Sequence, residues 1–315
     1  METSGTEYGC EVLVAGPYFA DLVFHGLPRP AEPGGEVFAR GFALVPGGAY
    51  TPAMALRRLG RQVLWSVDLG ADLFSAEVLA AARAEDLDER AFRHHPFPVR
   101  SVTVALSGPD EDRAMVSYQD EAPARPLAPL LRRHRPRVLM LPQLRWDEQT
   151  LADVRLARRL GTLVLMDGHD VPASVADPAV RRLLAELDVF TPNAAEALRL
   201  TGAADLDRAV AELAALVPTL VVTRGARGAL AVRGGERYDV PAVPVPVVDT
   251  TAAGDCFNAG LVHGLLAGRD LPGCLALAAA CGSAAVTGPG SSAAPRAAEL
   301  AGWLEQLPCA RPDSG

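Results

Sequence analysis

Ala252, Ala253, Gly254 and Asp255 stand where a turn gives way to a helix, inside the run VVDTTAAGDCFNAGLVHGLLA at residues 247–267. Val247 and Val248 read as the end of a buried strand, Asp249 to Thr251 as the turn, and Ala252 onward as an apolar helix. Three small residues leave the first amides of such a helix uncovered. Those N–H groups lack intrahelical acceptors and the helix dipole adds partial positive charge, so the position attracts an anion. Asp255, in the first turn, lies beside that anion, where a base belongs if a hydroxyl is to attack a bound phosphoryl group. A plainer reading is a capped amphipathic helix in which Asp255 only complements the dipole.

Other residues carry chemistry at recognisable spacings. In TPNAAEALRLTG, residues 191–202, Asn193 and Glu196 sit three apart at a helix start and therefore on one side of it. An N-cap Asn with a capping-box Glu accounts for the pair without any ligand. VVTRGARGAL, residues 221–230, reads as strand, glycine turn and strand. PQLRWDE, residues 142–148, leaves the end of a strand, which puts Arg145 and Trp146 where open parallel sheets bind ligands. Cys256 could be a thiol nucleophile at a helix start, but a small packing residue is the better reading. His94 and His95 precede Pro96 without a partner motif and read as loop histidines.

DTTAAGDCFNAG resembles the C-terminal signature of the PfkB (ribokinase-like) carbohydrate kinases, usually DTxGAGDxFxAG, with Ala252 in place of the first glycine. The AAGD variant resembles that of sugar-acid kinases such as 2-keto-3-deoxygluconate kinase. PGGAYTPAMALRRLG, residues 46–60, is similar to the family's N-terminal signature, with Thr51 where an Asn is common. The resemblance runs from Gly16 to about Gly290 in four ordered motifs. It implies an ATP-dependent kinase acting on a hydroxyl of a small sugar or sugar acid, with Asp255 as base and Ala252, Ala253 and Gly254 as the anion hole. Asp21, Gly47, Gly48 and Thr51 are then expected at the substrate. Thr223, Arg224, Gly225, Gly228 and Gly288 are expected at the nucleotide, with Gly290 beside Gly288. Asn193 and Glu196 are expected to place Mg²⁺, partly through water, since magnesium favours oxygen ligands and retains its waters. Asp249 and Thr251 are the expected ligands of a monovalent cation such as K⁺. Arg145 replaces an acidic residue of ribose-specific relatives, and a fixed cation there suits a carboxylate, sulfonate or phosphate on the substrate.

The elements that must position these groups alternate. Strands are expected at 10–16, 62–68, 138–142, 162–168, 188–192 and 219–223, separated by a helix after the Gly-Gly pair within 46–60 and by helices near 71–84, 147–160, 178–186, 194–200 and 205–216. Strands apolar on both faces and separated by helices argue a parallel sheet covered on both sides. The expected fold is therefore α/β, a ribokinase-like doubly wound, mostly parallel sheet in a single domain, 1–315. Glycine- and proline-broken strands at about 17–46, including a run at 36–45, and a hairpin at 98–119 around GPDED are expected to form a small β-strand lid. Residues 122–137 read as a basic, solvated helix face, and 271–291 as an Ala-rich helix with a glycine turn.

Bulk properties narrow the partners. The chain is 49% hydrophobic and carries a formal charge of −8, which argues against nucleic acid or an anionic membrane as partner. Five cysteines without metal-ligand spacing read as thiols of a reducing cytoplasm. No signal peptide or spanning helix is evident. The lid strands could pair across a homodimer. Two other functions stay open: a nucleoside kinase, with Phe19, Phe24 and Tyr50 available for an aromatic slot, and a non-catalytic relative, since Thr51 and Ala252 depart from the common pattern. An NAD-dependent Rossmann enzyme is the least expected of the readings, because the first strand lacks a GxGxxG turn.

Overall fold

The computed structural model describes residues 9–107, 113–169 and 171–308. The chain begins with β1 (Val12–Ala15), leaves the body through β2 (Tyr18–His25) and β3 (Gly41–Gly48), and returns through α1 (Tyr50–Arg58), β4 (Val63–Leu69) and α2 (Leu73–Ala84). After β5 (Phe92–His94), strands β6 (Ser101–Ser107) and β7 (Arg113–Gln119) leave the body again. Then α3 (Ala128–His134), β8 (Val138–Leu141), α4 (Glu148–Arg159), β9 (Leu163–Asp167), α5 (Pro178–Leu184) and β10 (Val189–Thr191) alternate. They are followed by α6 (Ala194–Thr201), α7 (Leu206–Ala214), β11 (Thr219–Thr223), β12 (Ala229–Arg233) and β13 (Glu236–Val240). The chain closes with α8 (Ala253–Leu266), α9 (Leu271–Ala285) and α10 (Leu300–Glu305).

Among the described residues the strands form a nine-stranded sheet, β13-β12-β11-β10-β9-β8-β1-β4-β5, and a four-stranded sheet, β3-β2-β6-β7. The large sheet is parallel from β5 to β11, and β12 and β13 add an antiparallel edge. Successive strand side chains point to opposite faces. Val12 and Val14 accordingly join a core with α1, α8 and α9, while Leu13 joins a second core with helices α3 to α7. The same parity separates Val221 from Leu220 and Val222 on β11. Both faces of the sheet are thus apolar and helix-covered, as the doubly wound reading requires. Among the described residues no helix is long and apolar enough to cross a membrane.

Several expectations are corrected. Val247 and Val248 end no strand; they are 57% and 64% exposed. Residues 241–248 contain Pro241, Pro244 and Pro246, which have no N–H to give to a ladder. The strand expected over 36–45 is β3, and residues 36–39 are unpaired. Its partner β2 ends at His25, where Gly26 takes a left-handed turn (φ +71°). Gly47 and Gly48 are the last residues of β3, and the helix expected after them follows as α1. The hairpin of β6 and β7 is present, but its GPDED tip lies outside the described residues. The tail after Pro308 lies outside them too. Within 122–137 only Ala128–His134 is helical, and Leu131 and His134 of that helix are buried.

Candidate active site

In sequence order the chain passes from β1 to β4 and β5 on one side and through β8 to β11 on the other, so loops diverge between β1 and β8. A crevice opens at such a switch point, beyond the carboxyl ends of the strands. A cavity of about 1730 Å³ occupies it, floored by Gly16, Asp167, Thr191 and Thr223 at strand ends and roofed by Thr103, Met115 and Ser117 of the small sheet.

The start of α8 forms one wall. This helix is apolar around most of its surface because it packs between α1 and α9, and Gly260 permits the close approach to α9: a Cβ there would stand 2.7 Å from the Leu277 carbonyl oxygen. Ala252 takes the N-cap position and makes no side-chain cap. The Ala253 amide donates to the Thr250 carbonyl at 3.3 Å, so it is not as open as expected. None of the hydrogen bonds among the described residues takes the amides of Ala252, Gly254 or Asp255. A Cβ on Gly254 would meet open space within the cavity.

Asp255 faces that cavity, and burial together with the charge of Asp21 pushes its pKa up to about 7. Asp167, at the end of β9, is raised as well, by burial and then by the charges of Glu196 and Asp255. Asn258, one helical turn after Asp255, donates to Asp167 Oδ2 at 2.6 Å. Asp167 and Asn258 carry no sequence signal of their own, because their partners come from separate elements. Asp255, Asp167 and Glu196 therefore bring carboxyl groups together along the floor, oxygen chemistry that suits a divalent cation reached through water. Among the described residues no cluster of three or more His, Cys, Asp or Glu side chains has the geometry to hold a metal directly.

Toward the nucleotide side, Asn193 and Glu196 form a complete capping box. Asn193 Oδ1 accepts the Glu196 amide at 2.9 Å, and Glu196 Oε2 accepts the Asn193 amide at 2.8 Å. Both residues also line the cavity, so the box fixes their side chains at its edge. The Thr223 amide donates to the Pro192 carbonyl at 3.2 Å, which stitches this helix start to the glycine turn. Thr223, Gly225 and Gly228 line the cavity. Gly228 has φ +77°, and a Cβ there would collide with the Val240 carbonyl. Arg224 does not line it. Its Nη2 lies 2.8 Å from Asp239 of β13 and donates to the carbonyls of Arg227 and Ala229, so the side chain is committed to the sheet edge. Gly288 is also displaced from the cavity, packed on Ser292 and Ala293, whereas Gly290 lines it. Asp249 Oδ1 accepts the Thr251 amide and hydroxyl at 2.9 and 2.6 Å, and its Oδ2 accepts the Gly290 amide at 2.8 Å.

Toward the other end, Asp21, Gly47, Gly48 and Thr51 come together. In the β2–β3 register Phe19 faces Gly47 and Asp21 faces Val45, which makes Asp21 and Gly47 diagonal neighbours. A Cβ at Gly47 would stand 2.3 Å from Asp21 Oδ2. Gly47→Ala should therefore swing the Asp21 carboxylate with little effect on Tm. We expect the KM for the second substrate to rise about tenfold or more, the size of one lost charged hydrogen bond; an unchanged KM would separate Asp21 from substrate. Thr51 is buried on α1. Arg145 lines the cavity but is 64% exposed and leans on Asp147 at 3.4 Å. Trp146 both lines the cavity and packs on the second core. Of the three aromatic residues, Phe19 lines the cavity, while Phe24 packs on Phe42 and Tyr50 on Trp65. Cys256 is buried and burial raises its thiol pKa well above 9.0, which leaves no thiolate nucleophile. His95 pairs with Asp68 at 2.9 Å, and His94 is exposed.

Residues 32–298 match the pfkB family carbohydrate kinase domain. A ribokinase of Bacillus subtilis is 28% identical over 85% of this chain and 89% of its own length. Among solved structures, Arabidopsis thaliana ribokinase complexed with ribose and ATP superposes with a TM-score of 0.79 at 22% identity, over 94% of this chain and 99% of that one. A Burkholderia thailandensis nucleoside kinase in complex with inosine superposes with a TM-score of 0.77 at 21% identity, over 96% and 100%.

Proposed function

The chain belongs to the pfkB family of carbohydrate kinases, and from that premise we propose that it transfers the γ-phosphoryl group of ATP to a hydroxyl of a small sugar or sugar acid. The observation that carries the reading is the meeting of Asp255, the uncovered amides of α8 and the Asp21–Gly47 pair in one cavity.

The chemistry follows from the placement. The substrate hydroxyl, held by Asp21 and the Gly47–Gly48 backbone, gives its proton to Asp255 as its oxygen bonds to the γ-phosphorus. The bond from that phosphorus to the β–γ bridging oxygen breaks, and ADP leaves. The amides of Ala252 and Gly254, joined by Ala253 when its long bond to Thr250 opens, stabilise charge on the phosphoryl oxygens. Thr223, Gly225 and Gly228 hold the nucleotide. Asn193 and Glu196, with Asp167 behind them, would hold Mg²⁺ partly through water, and the ion would supply neutralisation of phosphate charge. Asp249 and Thr251 would hold a monovalent cation, K⁺ or a similar ion. The small sheet acts as the lid and excludes water, the competing nucleophile. Its exposed Phe42 and Val116 would serve a homodimer contact.

A base must be ionised to act. Burial and Asp21 hold Asp255 protonated below about 7, so kcat/KM should fall on the acid side with an apparent pKa near that value. A profile flat from pH 5 to 8 would remove Asp255 from the base role.

For the substrate, Arg145 favours an anionic sugar such as 2-keto-3-deoxygluconate. A nucleoside remains the second reading, supported by Phe19 at the cavity and by the likeness to the nucleoside kinase fold. A coupled ADP-release assay with Mg-ATP across neutral sugars, sugar acids, sugar phosphates and nucleosides decides between them. Turnover confined to sugar acids supports Arg145. Turnover on neutral sugars removes that role, and turnover on nucleosides alone replaces the sugar reading.

A further inference from the structure

Arg58 ends α1 and Glu85 caps the C-terminus of α2, where the helix dipole disfavours an acidic side chain. The two nevertheless form a bidentate pair, Nε to Oε2 at 3.0 Å and Nη2 to Oε1 at 2.5 Å, with each side chain only 14% exposed. Glu85 leaves Nη1 of Arg58 for other work. Nη1 donates to the carbonyls of Ser292 at 3.0 Å and Ala294 at 2.9 Å, with that of Ser291 at 3.5 Å. Among the described residues no other side chain donates to these three carbonyls.

The segment so held contains Gly290, whose amide reaches Asp249 Oδ2 at 2.8 Å. Asp249 in turn fixes the amide and hydroxyl of Thr251, the residue before the N-cap of α8. Gly290 has φ +54° and lies against Val45 of β3, so the same segment also touches the small sheet. Polar contacts joined by the backbone of the 289–294 loop thus run from Glu85 through Arg58 to Asp249 and Thr251, next to the start of α8. A planar guanidinium can grip a carboxylate with one edge and carbonyls with its remaining nitrogen, whereas an ammonium cannot hold both in fixed directions.

We propose that Arg58 is a positioning residue for phosphoryl transfer, acting through the 289–294 loop and Asp249 on the start of α8. The inference rests on the kinase reading above. A misplacement on the order of 1 Å at a reacting centre can cost about a hundredfold in rate, so Arg58→Lys and Arg58→Met should each lower kcat by about that factor. The KM values for ATP and sugar should stay within about threefold, because Arg58 does not line the cavity.

The test compares Arg58→Lys, Asp249→Asn and the double variant by kcat, KM and thermal unfolding. It adds hydrogen exchange at the amides of Gly290 and residues 252–255. Expected are a kcat loss at temperatures well below Tm, a double variant no slower than Asp249→Asn alone, and faster exchange at those amides in Arg58→Lys. A lowered Tm with kcat intact, additive losses in the double variant, or unchanged exchange would overturn the proposal. If Arg58→Met does not fold, Arg58→Lys keeps the charge against Glu85 and carries the same comparison. A wild type silent on every substrate would count against the proposed function, and the exchange measurement would still decide the role of Arg58.

Discussion

Asp255→Asn should retain less than about one part in a thousand of the wild-type kcat while binding Mg-ATP within about threefold of the wild-type affinity. The amide keeps the shape of the carboxylate but cannot accept the substrate proton. Its second expected effect has the opposite sign. Asp255 has a pKa of about 7 in the fold against an ordinary 3.8, so the native state binds more protons than the unfolded chain between those values. Its contribution is fully favourable below the unfolded value and is lost as pH rises through about 7. The full shift would correspond to roughly 4 kcal/mol, and contact with cavity solvent lowers the expected gain to about 1–3 kcal/mol. Asp255→Asn should therefore raise Tm at pH 7.5 and change it little at pH 4. Steady-state kinetics with calorimetry at both pH values checks the pair of effects; residual turnover above a tenth of wild type would refute the base assignment.

Gly254→Ala should lower kcat by about a hundredfold or more, the cost of losing one preorganised donor to a developing anion. The added methyl meets no protein atom within 4 Å, so the fold has no reason to resist it. Alanine is also favoured over glycine inside a helix by about 0.5–1 kcal/mol. Activity and stability should again move in opposite directions, because the methyl fills the space in which a phosphoryl oxygen would sit. A variant with wild-type kcat and raised Tm would show that phosphate does not approach these amides. Two neighbouring substitutions that each trade activity for stability are what a site built on desolvated charge and an uncapped helix start predicts.

Residues whose role depends on local spacing were the legible ones. The strand and helix alternation from 138 to 223 follows from apolar runs and breaks, and the structure contains those elements. Asn193 and Glu196, three apart, cap the same helix start, and Asp255 stands in the first turn of α8. Roles set by distant partners were not legible. Asp167 reads as the last residue of an apolar strand, and only the fold brings Glu196, Asn258 and Asp255 around it. Arg224 follows Thr223 in a cavity-lining turn, yet Asp239 on the next hairpin strand draws it away. Val247 and Val248 have the composition of a strand, but three prolines before them leave too few amide donors to build one. Arg58 and Glu85 meet across two helices whose separate patterns show only amphipathic surfaces.

The measurement that tests the central claim most directly follows labelled γ-phosphate from ATP into product, with the best substrate of the panel, and sets phosphorylated sugar against ADP formed. We predict one phosphosugar per ADP for the wild type and neither product for Asp255→Asn. ADP accompanied by inorganic phosphate rather than phosphosugar, or transfer that survives Asp255→Asn, would contradict the account.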